Sequence, residues 1–201
     1  AGVEATNGDR VDITATNVTF KSGGAYVNSE KGGAVHIANE TDAGSVVSIK
    51  ASENVEIISS DRYAINNRSK QEGLVEVFGK NITVISENRT AVKAGGHVGN
   101  EGLNGTVTIG DEITETITIK GRAQNPHKDN QPNEHKGAVV YAQSGTVNLS
   151  ATDEIEITNT NTENRVGKAV AAYDGGNINI KDTANLAIDG EVYATGKGFV
   201  N

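Results

Sequence analysis

Apolar and polar residues alternate along this chain in short bursts, and the bursts recur. The pattern Gly-x-Val-x-Ile occurs at Gly73-Val75-Val77, Gly105-Val107-Ile109, Gly145-Val147-Leu149 and Gly176-Ile178-Ile180, with versions one residue longer from Gly8 to Ile13 and from Gly44 to Ile49. Each burst is followed by a second alternating pair: Val18 and Phe20, Val55 and Ile57, Ile82 and Val84, Ile117 and Ile119, Ile155 and Ile157, Leu186 and Ile188. A third patch follows, usually an alanine before a β-branched residue: Ala34-Val35, Ala64-Ile65, Ala91-Val92, Ala138-Val139, Ala169-Val170 and finally Val192-Tyr193. Period-two alternation is the mark of a strand, and no segment keeps helical periodicity through a capped run. Three strands per unit, repeated at a spacing of tens of residues, predict an all-β parallel β-solenoid of about six coils.

Such strands are too short to survive alone. Stacked about 4.8 Å apart, each continues its neighbour's backbone ladder, and the apolar residues form inward columns. The first two columns declare themselves by their shared spacing. The third patch does not say which residue faces in, and the β-branched one is expected to. Asn17, Asn54, Asn81 and Asn185 precede four of the second patches. Asparagine tolerates the left-handed backbone of a corner, and stacked amides bond to one another. Thr116 and Glu154 at the other two positions are expected to break that ladder in its middle.

Unit length varies because the corners do. The corner between second and third patches is long in residues 21–33, 120–137 and 158–168, and the corner after Ala91-Val92 runs on to Asn104. Insertions at one corner stack on one edge, where solenoids usually bind. No linker or second domain interrupts residues 1–201, which read as one domain and as a piece of a longer protein.

Composition sharpens this picture. Only 35% of residues are apolar and 4% aromatic, while 24 are glycine, which suits a thin core of small aliphatics. The net charge of −8 argues against nucleic acid and anionic membrane, which need a basic face. No apolar run is long enough to span a bilayer as a helix, so no membrane insertion of this segment is expected. The first residues carry no signal-peptide pattern. Cysteine is absent, so a secreted form would rely on hydrogen-bonded repetition instead of disulfides, and would cross a membrane unfolded without hindrance.

The candidate chemistry is thin. His127 and His135, with Asp129 and Glu134 between them, have metal-ligand types but no helical spacing or fixed turn, and a solvated loop is the reading kept. His36 and His97 have no suitable neighbours. Asp111, Glu112, Glu115, Asp153, Glu154 and Asp182 gather at the first corner. Solenoid enzymes that cleave acidic polysaccharides need carboxylates on adjacent coils and a basic residue, and that is the alternative reading. No nucleophile triad or phosphate-binding loop is present. The expectation is therefore no catalytic residue, no metal and no cofactor. The binding candidates lie in the insertion from Arg122 to Lys136, which holds both prolines: Arg122, Asn125, His127, Lys128, Asp129, Asn130, Asn133, Glu134 and His135. Mixed charge without an apolar anchor suits weak multivalent contacts, and the loop is expected to pack beside residues 158–168 as one ledge.

The stretches Gly145 to Ile157 and Gly176 to Gly190 resemble the passenger regions of bacterial type V secretion proteins, which include autotransporter adhesins and filamentous-haemagglutinin-like exoproteins. The resemblance runs from Gly8 onward and is a loose fold pattern. Haemagglutinin-type coils are shorter and more regular, so a conventional autotransporter passenger is the closer likeness. It implies a right-handed β-helix, a cell-surface (outer-membrane-anchored) or extracellular location, and a role in adhesion, aggregation or biofilm formation. The implied partners are a host or bacterial surface glycan or protein, together with self-association.

Overall fold

In a computed structural model, which describes residues 2–22, 33–38, 44–61, 63–70, 72–96, 103–123, 137–163 and 167–201, the alternating patches are strands, and no described residue is helical. In chain order the strands are β1 (Val3–Thr6), β2 (Arg10–Ser22), β3 (Gly33–Ala38), β4 (Val46–Ser59), β5 (Tyr63–Asn67), β6 (Leu74–Phe78), β7 (Asn81–Ser86), β8 (Val92–Gly95) and β9 (Thr106–Ile109). They continue as β10 (Thr116–Gly121), β11 (Ala138–Gln143), β12 (Thr146–Ser150), β13 (Glu154–Asn159), β14 (Lys168–Tyr173), β15 (Asn177–Lys181), β16 (Asn185–Asp189), β17 (Val192–Thr195) and β18 (Phe199–Val200). Every pairing between these strands is parallel. The arrangement is all-β, parallel and solenoid-like.

A seven-stranded sheet takes the third patches in the order β1-β3-β5-β8-β11-β14-β17, and an eleven-stranded sheet takes the rest. The larger sheet has two wings joined through β4, whose residues Val46 to Lys50 pair with β6 while Asn54 to Ser59 pair with β7. β2 rounds the same corner, with a register shift between Ala15 and Asn17. No left-handed residue interrupts either strand there, whereas Gly110 (φ 80°) and Asp182 (φ 57°) break the chain at two of the four later corners. Backbone bonds carry the ladder through those corners, as from Gly110 N to Val77 O (2.8 Å) and Thr152 N to Thr114 O (2.7 Å).

The inward columns follow the registers. One wing stacks Val47, Val75, Val107, Val147 and Ile178, with Ile49, Val77, Ile109, Leu149 and Ile180 beside them. The other stacks Val55, Ile82, Ile117, Ile155 and Leu186, with Ile57, Val84, Ile119, Ile157 and Ile188. Nearly all are fully buried; on the last rung Leu186 is 50% exposed, since nothing described lies beyond it. In the seven-stranded sheet the column is Val3, Val35, Ile65, Val92, Val140, Val170 and Val192. The β-branched residues Val35, Ile65, Val92 and Val170 hold this register, and the alanines before them, Ala34, Ala64, Ala91 and Ala169, are fully buried as well. One rung differs from its sequence reading: Val140, not Val139, lies opposite Val92 and Val170. Both valines are fully buried, so apolarity alone does not choose between them.

The motif glycines have a steric cause. A Cβ on Gly145 would stand 2.7 Å from Ala94 C and from Gly105 O, and one on Gly176 would stand 2.4 Å from Ala142 O. At Gly145 and Gly176 the chain passes against the backbone of the preceding rung, whereas a Cβ on Gly73 or Gly105 would meet the side chain of Ser69 or Asn67.

The asparagine ladder forms and is longer than expected. Asn54 donates to Asn17 Oδ1 (2.8 Å), Asn81 to Asn54 Oδ1 (3.1 Å), and the Thr116 hydroxyl to Asn81 Oδ1 (2.9 Å). Threonine carries a donor and so extends the row. It stops at Glu154, and the Asn185 amide bonds to Asp153 O instead. A second ladder on the other wing, from Asn201 through Asn179 and Asn148 to Thr108, has links of 2.9, 2.9 and 3.3 Å.

Candidate functional site

Residues that alternate with the inward column of the seven-stranded sheet point away from the core. Along the strands they are Glu4, His36, Asn66, Lys93, Tyr141, Ala171 and Tyr193. On the larger sheet the outward face is partly open to solvent, as at Thr83, Thr118 and Glu156. That of the seven-stranded sheet is not: His36, Asn66, Lys93 and Tyr141 are 5% exposed or less.

Its upper half is aromatic. Tyr173 lies 5.4 Å from Tyr141 and 5.6 Å from Tyr193, centroid to centroid, in tilted pairs. Ala171, between Tyr141 and Tyr193 in the ladder, is small enough to let Tyr173 lean across. Burial raises the Tyr173 phenol to about 12, helped by Tyr193 and Glu191. Lys168 sits 4.8 Å over the Tyr193 ring and pairs with Glu191. Lys93 lies 5.1 Å over Tyr63 and 5.9 Å over Tyr141, an arrangement in which the ring quadrupole offsets some of the lost hydration. The Tyr141 hydroxyl donates to Gln143 Oε1 (2.7 Å), whose amide donates to Asp174 Oδ2 (2.8 Å).

Its lower half is basic and polar. His36 Nδ1 lies 3.2 Å from Asn66 O. Burial lowers the imidazole from 6.5 to about 4; the bond to Asn66 opposes the shift, and the charges of Arg68 and Lys93 add to it. The ring is therefore neutral near pH 7.

No family model, curated protein or solved structure matches the chain. Its own geometry has to speak for it.

Of the insertion residues singled out by sequence, Arg122 is described; Asn125, His127, Lys128, Asp129, Asn130, Asn133, Glu134 and His135 lie outside the described residues. Arg122 forms an ion pair with Glu163. The Ala123 amide donates to Asn159 Oδ1 (3.1 Å), Asn161 donates to Ala123 O (3.1 Å), and Asn159 donates to Gly167 O (2.9 Å). The foot of the insertion is thus tied to the corner of the next rung.

The first-corner carboxylates do local work. Asp111 Oδ1 accepts from Ile113 N and from the Thr114 hydroxyl, both at 3.1 Å, in a turn. Glu115 pairs with Lys80 at 3.2 Å, and Asp182 accepts from Ser150 at 3.4 Å. Among the described residues, no three or more of His, Asp and Glu stand together as a metal site, and no helix is long and apolar enough to cross a membrane.

Sequence reasoning missed the outward column. Its signal was present, one residue after each β-branched position, as Val35-His36, Ile65-Asn66, Val92-Lys93 and Val192-Tyr193. Spacing alone gives no reason for an outward face to be buried.

Proposed function

We propose that this chain is a right-handed parallel β-solenoid of six coils that serves as a non-catalytic adhesive or scaffolding segment of a bacterial autotransporter passenger, at the cell surface or released from it. Its partners are a surface glycan or protein, and other copies of itself, in attachment, aggregation or biofilm formation. The observation that carries this reading is the joined edge at the second corner. The Arg122–Glu163 pair and the Asn159 and Asn161 bonds to Ala123 brace the base of the insertion against the following corner. The parallel ladders supply a stiff support for it. A braced, polar edge on a stiff support favours many weak contacts acting together.

Replacing Asn125 to Asn133 with a short Gly-Ser turn tests it. Circular dichroism and melting temperature stay nearly unchanged, because every core column lies outside that segment, while adhesion or aggregation by the parent protein falls. Unchanged adhesion with intact surface display overturns the ledge. Turnover of an acidic glycan by the purified chain, abolished in Asp153→Ala or Asp182→Ala, would replace this reading with an enzymatic one.

A further inference from the structure

Among the described residues, the exposed large apolar side chains are Ile113, at 64%, and Leu186, Val192, Tyr193 and Phe199. The last four belong to β16, β17 and β18. Ile113 stands apart, in the turn before β10, on a rung flanked by β7 and β13. Hydrogen bonds fix that turn. Asp111 Oδ1 accepts from the Ile113 amide and the Thr114 hydroxyl, and the Asp111 amide donates to Thr114 Oγ1, all at 3.1 Å. Thr114 is fully buried, and its carbonyl accepts from the Thr152 amide at 2.7 Å. A side chain presented on a fixed turn loses little freedom on contact. Carboxylates frame this one in the chain, Asp111 and Glu112 before it and Glu115 after it.

A single exposed isoleucine is ordinary on a protein surface; what gives Ile113 a role is that the same wing carries its complement. At the far end of that wing, Lys21, Ile58, Ile85 and Lys120 are register partners on β2, β4, β7 and β10, outward of the core column. Neighbouring strands lie about 4.8 Å apart, so two half-buried isoleucines stand side by side with a lysine on each flank. The lysines pair with Glu56 (3.5 Å) and Glu156 (3.3 Å), surface contacts that are worth little. Across the middle of the wing lie Thr83 and Thr118, which are uncharged register partners.

We propose that a second copy of this chain docks on this wing, Ile113 of each copy seated on Ile58 and Ile85 of the other, with Asp111 and Glu112 facing Lys21 and Lys120. Knob and patch are alike in apolarity and opposite in the charge around them, which sets the pairing. They stand at opposite ends of one wing, so a twofold axis midway between them makes both contacts at once and closes the assembly at two chains. The proposal gives a surface to the self-association named above and rests on that part of the reading; it does not use the edge at Arg122 and Glu163.

Sedimentation equilibrium of the purified chain at rising concentration tests it, with circular dichroism as the check on folding. The wild type is expected to pass from monomer to dimer. Ile113→Ser and Ile85→Ser should each weaken dimerisation about tenfold. An equimolar mixture of the two variants keeps one intact knob and one intact patch, and should associate more tightly than either variant alone. If Ile85→Ser does not fold, Lys21→Glu combined with Lys120→Glu serves as the patch variant. A wild type that stays monomeric overturns the proposal. So does association unchanged in Ile113→Ser, as stacking through β16, β17 and β18 would give, or a mixture no tighter than its components. Adhesion by the parent protein with Asn125 to Asn133 replaced reports on the edge alone, so the two readings can fail separately.

Discussion

His36 shows how a single side chain acquires a property from its place in a ladder. Alternation turns it outward from the core, yet it is 2% exposed, and burial holds its pKa at about 4 instead of 6.5. Between those values the unfolded chain takes up a proton that the folded chain refuses. Stability from this group is therefore complete above about pH 6.5, falls as pH drops toward about 4, and levels off below. At about 1.4 kcal/mol per unit, the window is worth roughly 3 kcal/mol. Urea unfolding of wild type and His36→Gln across pH 4 to 7 checks this: the wild-type advantage should shrink steadily as pH falls. A difference that stays constant with pH would mean that the folded protein does not hold the ring neutral.

The strands and corners depend on backbone contact as much as on side-chain apolarity. Gly145 and Gly175 separate two reasons for glycine. Gly145 is surrounded by backbone, with Ala94 C, Gly105 O and Gly95 N all within 2.8 Å of a would-be Cβ. Gly175 has φ 81° but nothing within 4 Å of that position. Gly175→Ala meets only the left-handed penalty of about 1–2 kcal/mol. Gly145→Ala must push two rungs apart, and about 3 kcal/mol is expected. Urea unfolding of the two variants ranks them, and equal losses would show that the rungs yield at Gly145. The amide ladders are a second element-scale device. Each link from Asn17 to Thr116 joins one rung to the next on an exposed or half-buried surface, where a hydrogen bond is worth about 1 kcal/mol.

Across the molecule, each rung is stabilised by its neighbours; in residues 1–201 taken alone, the middle rungs are covered on both sides and the rung of β16, β17 and β18 on one. Ile82, Ile117 and Ile155 are essentially inaccessible, whereas Leu186, Val192 and Phe199 are 50%, 47% and 57% exposed. Opening should therefore begin at β16, β17 and β18. Native-state hydrogen exchange measures this directly: their amides should exchange well before those of β7 and β10. Uniform protection along the axis would mean that the strands open together as one unit.

Much of this architecture was legible in the order of residues. The pairs Val75 and Val77, Val107 and Ile109, and Val147 and Leu149 recur at one spacing after glycine, and the inward columns follow from alternation alone. So does the ladder beginning at Asn17, since equal positions in successive rungs are brought side by side by parallel pairing. The candidate site was not legible in the same way. The choice of Val140 over Val139 needed the register, because both are aliphatic and both are buried. The extension of the amide ladder to Thr116 needed the distance between neighbouring rungs. The grouping of His36, Asn66 and Arg68 with Lys93 needed both the stacking of three strands and the burial of a face that the sequence pattern marks only as outward. Alternation states which side of a strand a residue occupies; what covers that side, and which distant residues share it, is decided by contacts between segments tens of residues apart.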